Sequence, residues 1–229
     1  MTARVQAVAF DVLETLLNVD ALAERLREVG QPAGLLQPWF MRFQRDAMAL
    51  TLAGDSAQFY PVARQALRTD TGHTASEEEI DHVLDGFRDL PAYPDAAPAL
   101  RKLSEAGVRV GCLTVGNPDN TARFLDNAGL APHVDHVITA DQAGTWKPAP
   151  AIYHMTAREL GTAPENTALV AVHAWDCHGA KRAGCLAGWC ARLEGRYGDV
   201  YTPADVRGND LVEVVDRLLQ RQSPRSTAG

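Results

Sequence analysis

An excess of basic charge, long apolar runs and paired cysteines are all missing from this chain of 229 residues. Its 22 lysines and arginines are outnumbered by 29 acids, giving a net charge of −7, without the basic footprint of a general nucleic-acid binder. No apolar stretch approaches the roughly 20 residues that span a bilayer. The N-terminus runs almost at once into a strand-like segment with no secretory signal, so the expected location is the cytoplasm, with no membrane partner. The four cysteines, Cys112, Cys177, Cys185 and Cys190, make no CxxC pair and no Cys/His zinc spacing, which favours reduced thiols. No internal repeat or low-complexity segment interrupts the chain.

What is present begins with Val5-Gln6-Ala7-Val8-Ala9-Phe10-Asp11, an apolar run ending in an acid and followed by the turn Val12-Leu13-Glu14-Thr15. Such a run suits a strand covered on both faces. Asp11 then sits at the strand's carboxyl end, where open parallel sheets bind ligands, either as a nucleophile or as a turn acid leading into the next helix. From Leu16 the pattern is helical: Leu16 to Val29, Pro38 to Gly54, Phe59 to Arg68, and a helix from the capping box at Ser76-Glu77-Glu78-Glu79 to Leu90. Pro91-Ala92-Tyr93-Pro94 ends that series, which holds no strand candidate.

Beyond Pro94 strands and helices alternate. Strands are expected at Val108 to Val115, His136 to Thr139, Ala168 to Ala174 (ending at Trp175-Asp176) and Gly188 to Leu193. Helices are expected at Asp95 to Ala106, Thr121 to Asn127, Pro148 to Leu160, through Ala180, and from Asp210 to Gln220. The fold class is therefore α/β: a doubly wound, Rossmann-like parallel-sheet core with an inserted all-helical cap. The expected division is core at 1–15 and 94–222, cap at 16–93, and a disordered tail at 223–229.

Polar groups fall at successive strand ends: Asp11 with Thr15, Thr114, Lys147 in a following loop, and Asp176. A parallel sheet brings such ends to one edge. A carboxylate nucleophile, a hydroxyl, an ammonium and a second carboxylate are what covalent aspartyl catalysis requires, since the nucleophile must stay ionised and its ester must later meet water. In this order and spacing, Asp11-Val12-Leu13-Glu14-Thr15, Leu113-Thr114, Lys147-Pro148 and Trp175-Asp176 resemble the motifs of the haloacid dehalogenase superfamily, over nearly the whole chain. The resemblance implies that residues 16–93 are the superfamily's helical cap, which closes over the nucleophile and selects substrate.

Two absences choose a branch. Phosphatases of the superfamily carry a second acid two residues after the nucleophile, and that position here is Leu13, which cannot transfer a proton. Magnesium-using branches carry further acids near the last motif, whereas no acid follows Asp176 until Glu194. The chain thus resembles the type II 2-haloacid dehalogenases, implying a hydrolase that needs no cofactor and turns short 2-halo carboxylates into 2-hydroxy carboxylates. Asp11 is then the nucleophile, Thr15 and Thr114 donate hydrogen bonds to it, and Lys147 keeps it ionised. Tyr153 would help Lys147 hold the nucleophile and the substrate carboxylate, while Asp176 pairs with Lys147 and orients the hydrolytic water. Leu13, Trp39, Phe40, Arg42, Phe43, Asn117, Tyr153, His173 and Trp175 are the substrate-binding candidates. The alternatives are a magnesium phosphatase without the usual acid, whose ligands would be Asp11 and Asp176, and a non-catalytic member that binds a small acid or a partner.

Departures from the branch are equally specific. Its arginine after the cap tryptophan is Phe40 here, and Arg42 and Arg45 are displaced around the helix, so they are either solvated cap charges or substitutes. Its asparagine after the strand-end hydroxyl is Val115, and the serine and asparagine before the last motif are Ala171 and His173. His173 either makes one backbone hydrogen bond or binds a leaving halide or steers water, and Trp175 either packs in the core or lines a halide pocket. Glu14 replaces a small glycine, a carboxylate near the pocket mouth without an assigned role. A cap surface rich in Phe and Leu allows a homodimer.

Overall fold

The computed structural model describes residues 4–116 and 118–221; the substrate-binding candidate Asn117 and the tail at 223–229 lie outside them. The first strand, β1 (Ala7–Asp11), is buried at all five positions. Four helices follow, α1 (Leu22–Glu28), α2 (Leu36–Ala53), α3 (Phe59–Asp70) and α4 (Glu77–Asp85), before α5 (Ala96–Glu105) and β2 (Arg109–Thr114). The remaining order is α6 (Pro118–Asn127), β3 (His136–Thr139), α7 (Ala140–Ala143), α8 (Pro150–Glu159), β4 (Thr167–Ala171), α9 (Ala174–Arg182), β5 (Leu186–Cys190), β6 (Val206–Gly208) and α10 (Leu211–Gln220).

The six strands form one sheet in the order β3-β2-β1-β4-β5-β6, every pairing parallel. In this doubly wound order the winding reverses beside β1, so a crevice opens at the carboxyl ends of β1 and β4. Asp11, opposite Leu113 of β2, closes β1 at that crevice. Among the described residues no helix is long and apolar enough to cross a membrane.

The helical cap leaves and re-enters the core through two paired crossings. Asn18 N–H donates to the Pro91 carbonyl (2.8 Å) and Tyr93 N–H to the Leu16 carbonyl (2.9 Å). Its interior is aromatic. Phe59 meets Phe43 and Phe87 edge to face, each at 5.0 Å between centroids, and Trp39 meets Phe87 at 5.9 Å. Phe43 also reaches Trp146 of the core at 5.5 Å, so cap and core share one apolar contact beside the crevice. Gly54, at φ +85°, ends α2 in the left-handed conformation that glycine adopts without a Cβ penalty. The Ser76/Glu79 capping box starts α4 as the sequence predicts.

Several boundaries differ. The segment predicted as one helix from Leu16 to Val29 first makes a tight turn bridging Leu13 to Leu17, then a 3₁₀ turn at Val19–Ala21, then α1. The crossing at Pro91 pins Asn18, whose side chain accepts from Asp20 N–H, so the helix starts only beyond it. The helix predicted to reach Leu90 ends at Asp85 and continues as a 3₁₀ turn over Gly86–Asp89. The strand predicted to run to Ala174 stops at Ala171, which puts Asp176 in the first turn of α9. That helix start draws its cap from afar: the Glu194 carboxylate accepts from Ala174 N–H at 3.0 and 3.2 Å, a partner no local pattern reveals. The last predicted strand occupies Leu186–Cys190, and α7 and β6 have no counterpart in the sequence reading.

Candidate active site

Asp11 lies 4% exposed at the floor of the crevice. Its Oδ1 accepts from Lys147 Nζ at 2.5 Å and its Oδ2 from Thr15 Oγ1 at 2.6 Å. Thr15 cannot turn its proton elsewhere without loss, because its oxygen accepts from Val172 N–H at 3.2 Å. The strand-to-turn geometry thus aims one hydroxyl at the carboxylate, while Arg192 holds the Thr15 carbonyl from across the fold at 2.9 Å.

Lys147 bridges two acids, with Nζ 2.7 Å from Asp176 Oδ2. Tyr153 of α8 donates its hydroxyl proton to Asp176 Oδ1 at 2.6 Å. The hydroxyl fits because α9 carries Gly179 there: a Cβ would lie 2.5 Å from the tyrosine oxygen and 2.6 Å from Pro148 Cβ. Burial alone would raise the Asp11 pKa, but the facing Lys147 ammonium and His173 imidazole outweigh it and hold the carboxyl well below the usual carboxylate range. Burial together with the neighbouring Asp11 charge pushes Asp176 upward despite its partner Lys147. The two acids sharing the ammonium are thus shifted in opposite directions, Asp11 down and Asp176 up.

A second basic group adjoins Asp11. His173, at the start of α9, lies 2.7 Å from Glu14 Oε2 through Nε2 and 3.3 Å from Asp11 Oδ2 through Nδ1. Burial works against its proton, but the two carboxylates prevail and raise its pKa from 6.5 to about 10. Glu14 makes this contact from a left-handed backbone at φ +67°, a conformation costing a non-glycine residue on the order of 1 kcal/mol. His173 therefore bridges two carboxylates, a role beyond either of those the sequence left open.

Above these groups is a cleft enclosing about 360 Å³ of free space, part of it open to solvent. Asp11, Lys147 and His173 form its polar floor, and Phe40, Phe43, Ala47 and Met48 of α2 form its roof, with Gln44 the single polar side chain among them. Leu13, Val115, Trp146 and Trp175 complete the walls. Trp175 is thus a pocket residue, with Lys147 Nζ 5.9 Å from its ring centroid.

Other sequence candidates lie elsewhere. Thr114 faces a neighbouring recess, and its Oγ1 accepts from Gly116 N–H at 2.9 Å rather than donating to Asp11. Trp39 turns into the cap interior and donates its indole N–H to the Ala63 carbonyl at 2.9 Å. Arg42 pairs with Asp70 at 2.6 Å and Arg45 with its neighbour Asp46, so neither takes the place that Phe40 leaves without a guanidinium. Tyr153 is buried against Asp176 rather than open to substrate. Asp176 is wholly buried, with one oxygen on Lys147 and the other on Tyr153, and it does not line the cleft where a water would react. Gln44, Ala47, Met48, Val115 and Trp146 line the pocket without having been substrate-binding candidates; Gln44 is one helical turn from Phe40, Ala47 one turn from Phe43 and Met48 one turn beyond Gln44, a spacing that could have pointed to these three. The four cysteines are unpaired and buried, and burial pushes the Cys112 thiol up to about 12, which excludes it as a nucleophile.

The family profile of a haloacid dehalogenase-like hydrolase matches residues 5–184. The chain belongs to the haloacid dehalogenase-like hydrolases. The hydrolase is 32% identical to (S)-2-haloacid dehalogenase 4A of Burkholderia cepacia, over 80% of this chain and 82% of the relative. It is 30% identical to an (S)-2-haloacid dehalogenase of Xanthobacter autotrophicus, over 82% of this chain and 76% of the relative. Its fold overlays on the L-2-haloacid dehalogenase of X. autotrophicus with chloropropionic acid covalently bound. The TM-score is 0.86 at 26% identity, covering 96% of this chain and 100% of that one.

Proposed function

We propose that the hydrolase is a 2-haloacid dehalogenase that needs no metal and works through an ester on Asp11. The observation that carries this is Asp11 at the cleft floor, clamped by Lys147 and Thr15, with Leu13 where a proton donor would serve a poorer leaving group. An oxygen of Asp11 attacks the halogen-bearing carbon, the carbon–halogen bond breaks, and the halide departs with the electron pair and needs no proton. Water then attacks the Asp11 carboxyl carbon and frees a 2-hydroxy acid. Lys147 and His173 lie at the floor beneath the substrate, and the aromatic rings of Phe40 and Phe43 above suit a polarisable halogen. The similarity to enzymes named for 2-haloacids supports the same substrate class here. Four unpaired, buried cysteines suit a reducing compartment such as the cytoplasm.

Magnesium fits this site poorly, because the Lys147 ammonium already lies between Asp11 and Asp176, at 2.5 and 2.7 Å. The test supplies chloroacetate, fluoroacetate, 2-chloropropionate and an aryl phosphate, each with magnesium or with chelator, and follows halide and phosphate. Halide release that survives chelation is expected. Phosphate release lost on chelation, or silence on every halo acid, contradicts the proposal.

A further inference from the structure

Hydrolysis of an ester on Asp11 calls for a base beside the Asp11 carboxyl carbon, and the acid expected to serve the water is walled off. Both oxygens of Asp176 are engaged by Lys147 and Tyr153, and the residue is 0% exposed. The titratable side chains that do line the cleft are Asp11, Lys147 and His173. Asp11 carries the ester, and Lys147 is held as an ammonium by its two carboxylates, which outweigh the effect of burial and raise its pKa. His173 remains. Its ring is fixed from behind, Nε2 on Glu14 at 2.7 Å, while Nδ1 is buried, 3.3 Å from Asp11 Oδ2, and has no aligned hydrogen-bond partner among the described residues. A buried ring nitrogen that faces a carboxylate without an aligned hydrogen bond is still open to a water at the pocket floor. The left-handed backbone of Glu14 points the same way, since a strained conformation persists where the surroundings hold it for a purpose.

We propose that His173 is the general base that deprotonates the hydrolytic water, with Glu14 as its positioning residue, and that this pair performs the second half of the reaction. The inference rests on the dehalogenase reading above. In the free enzyme the imidazole is protonated and faces the Asp11 carboxylate. Alkylation of Asp11 cancels that negative charge, which leaves Glu14 on Nε2 as the only counter-charge of the imidazolium, and the Nδ1 proton leaves to solvent alongside the halide, accounting for the one proton that hydrolytic dehalogenation releases. Water then bonds through its oxygen to Cγ of Asp11 while one of its protons passes to Nδ1. The bond between Cγ and the alkyl oxygen breaks, the alkoxide takes the second water proton, and Asp11 returns to a carboxylate facing an imidazolium. The base is thus disarmed while Asp11 must be a nucleophile and armed once the ester exists.

The experiment mixes wild type, His173→Asn, His173→Ala and Glu14→Gln rapidly with 2-chloropropionate, following halide release and the mass of the peptide that bears Asp11. His173→Asn is expected to release about one halide per site in a fast phase, then turn over about 10²–10⁴-fold more slowly. Its Asp11 peptide should carry the propionate adduct. Glu14→Gln should show the same fast phase with a smaller loss of turnover. Added imidazole should restore turnover to His173→Ala without changing the fast phase, which a merely structural role would not allow. Wild-type turnover in His173→Asn, or a slowed first phase without adduct in both His173 variants, overturns the assignment while leaving the dehalogenase reading intact. Wild-type silence on every halo acid instead overturns that reading and this one with it.

Discussion

On the core side of the cleft, Asp11, Lys147 and His173 are each less than 6% exposed and tied to partners on separate elements. On the cap side, Phe40, Phe43, Ala47 and Met48 come from one helix and offer surface rather than charge. The floor is therefore a balanced ionic lattice whose parts fail together, while the roof is an apolar contour that tolerates local change. On the proposed function, reaction chemistry belongs to the first and substrate fit to the second. Variants on the two sides should differ in kind: floor changes should lower kcat or stability, and roof changes should shift KM.

The largest expected effect comes from Lys147→Met, which leaves Asp11 and Asp176 facing one another in a buried site. Removing one partner of a buried ion pair costs about 3–5 kcal/mol. Loss of a preorganised charge beside reacting atoms lowers kcat on the order of 10²–10³-fold. Denaturant unfolding and halide assays measure both, and a variant with wild-type kcat would break the distinction between floor and roof. Next is Tyr153→Phe, which strands Asp176 Oδ1 in the interior and should cost about 1–3 kcal/mol. Its rate should fall less than that of Lys147→Met, because Tyr153 touches Asp176 and not the nucleophile.

The pH dependence of stability sharpens the same contrast. Folding raises the His173 pKa from 6.5 to about 10, between the carboxylates of Asp11 and Glu14. A group whose pKa rises on folding contributes its full stabilisation below the unfolded value and loses it as pH climbs through the folded one. The difference in melting temperature between wild type and His173→Asn should therefore be greatest below pH 6.5 and shrink as pH passes about 10. A difference that grows with pH would contradict the protonated bridge. The smallest effect belongs to the roof. Gln44→Leu removes one cap amide worth about 0.5–1.5 kcal/mol, so KM should shift by roughly tenfold or less with kcat nearly unchanged.

The same contrast explains what the sequence could show. Asp11, Lys147 and Asp176 are legible because strand ends of a parallel sheet converge by topology, so spacing along the chain implies proximity in the fold. The fold class is legible for the same reason, from the alternation after Pro94. What escaped depends on contacts without a local signature. Glu14 and His173 are 159 residues apart, and neither type announces the other. Thr114 stands at a strand end as its motif requires, yet its hydroxyl is turned to Gly116 N–H by the backbone that follows. Asp176 reads as a strand-end acid because the helix cap that places it one turn into α9 comes from Glu194. On the roof, Arg42 and Gln44 are two positions apart and so about 200° around α2, and only the packing of the cap decides that the side with Gln44 meets the cleft while Arg42 meets Asp70.

The central claim is that the bond broken in the second step is the acyl bond of an Asp11 ester. A single turnover in heavy-oxygen water, with enzyme in excess over 2-chloropropionate, followed by mass mapping of the peptide bearing Asp11, tests it most directly. One heavy oxygen should appear in that peptide, with the first hydroxy acid released carrying ordinary oxygen. Label found directly in the product and absent from the peptide would contradict the account.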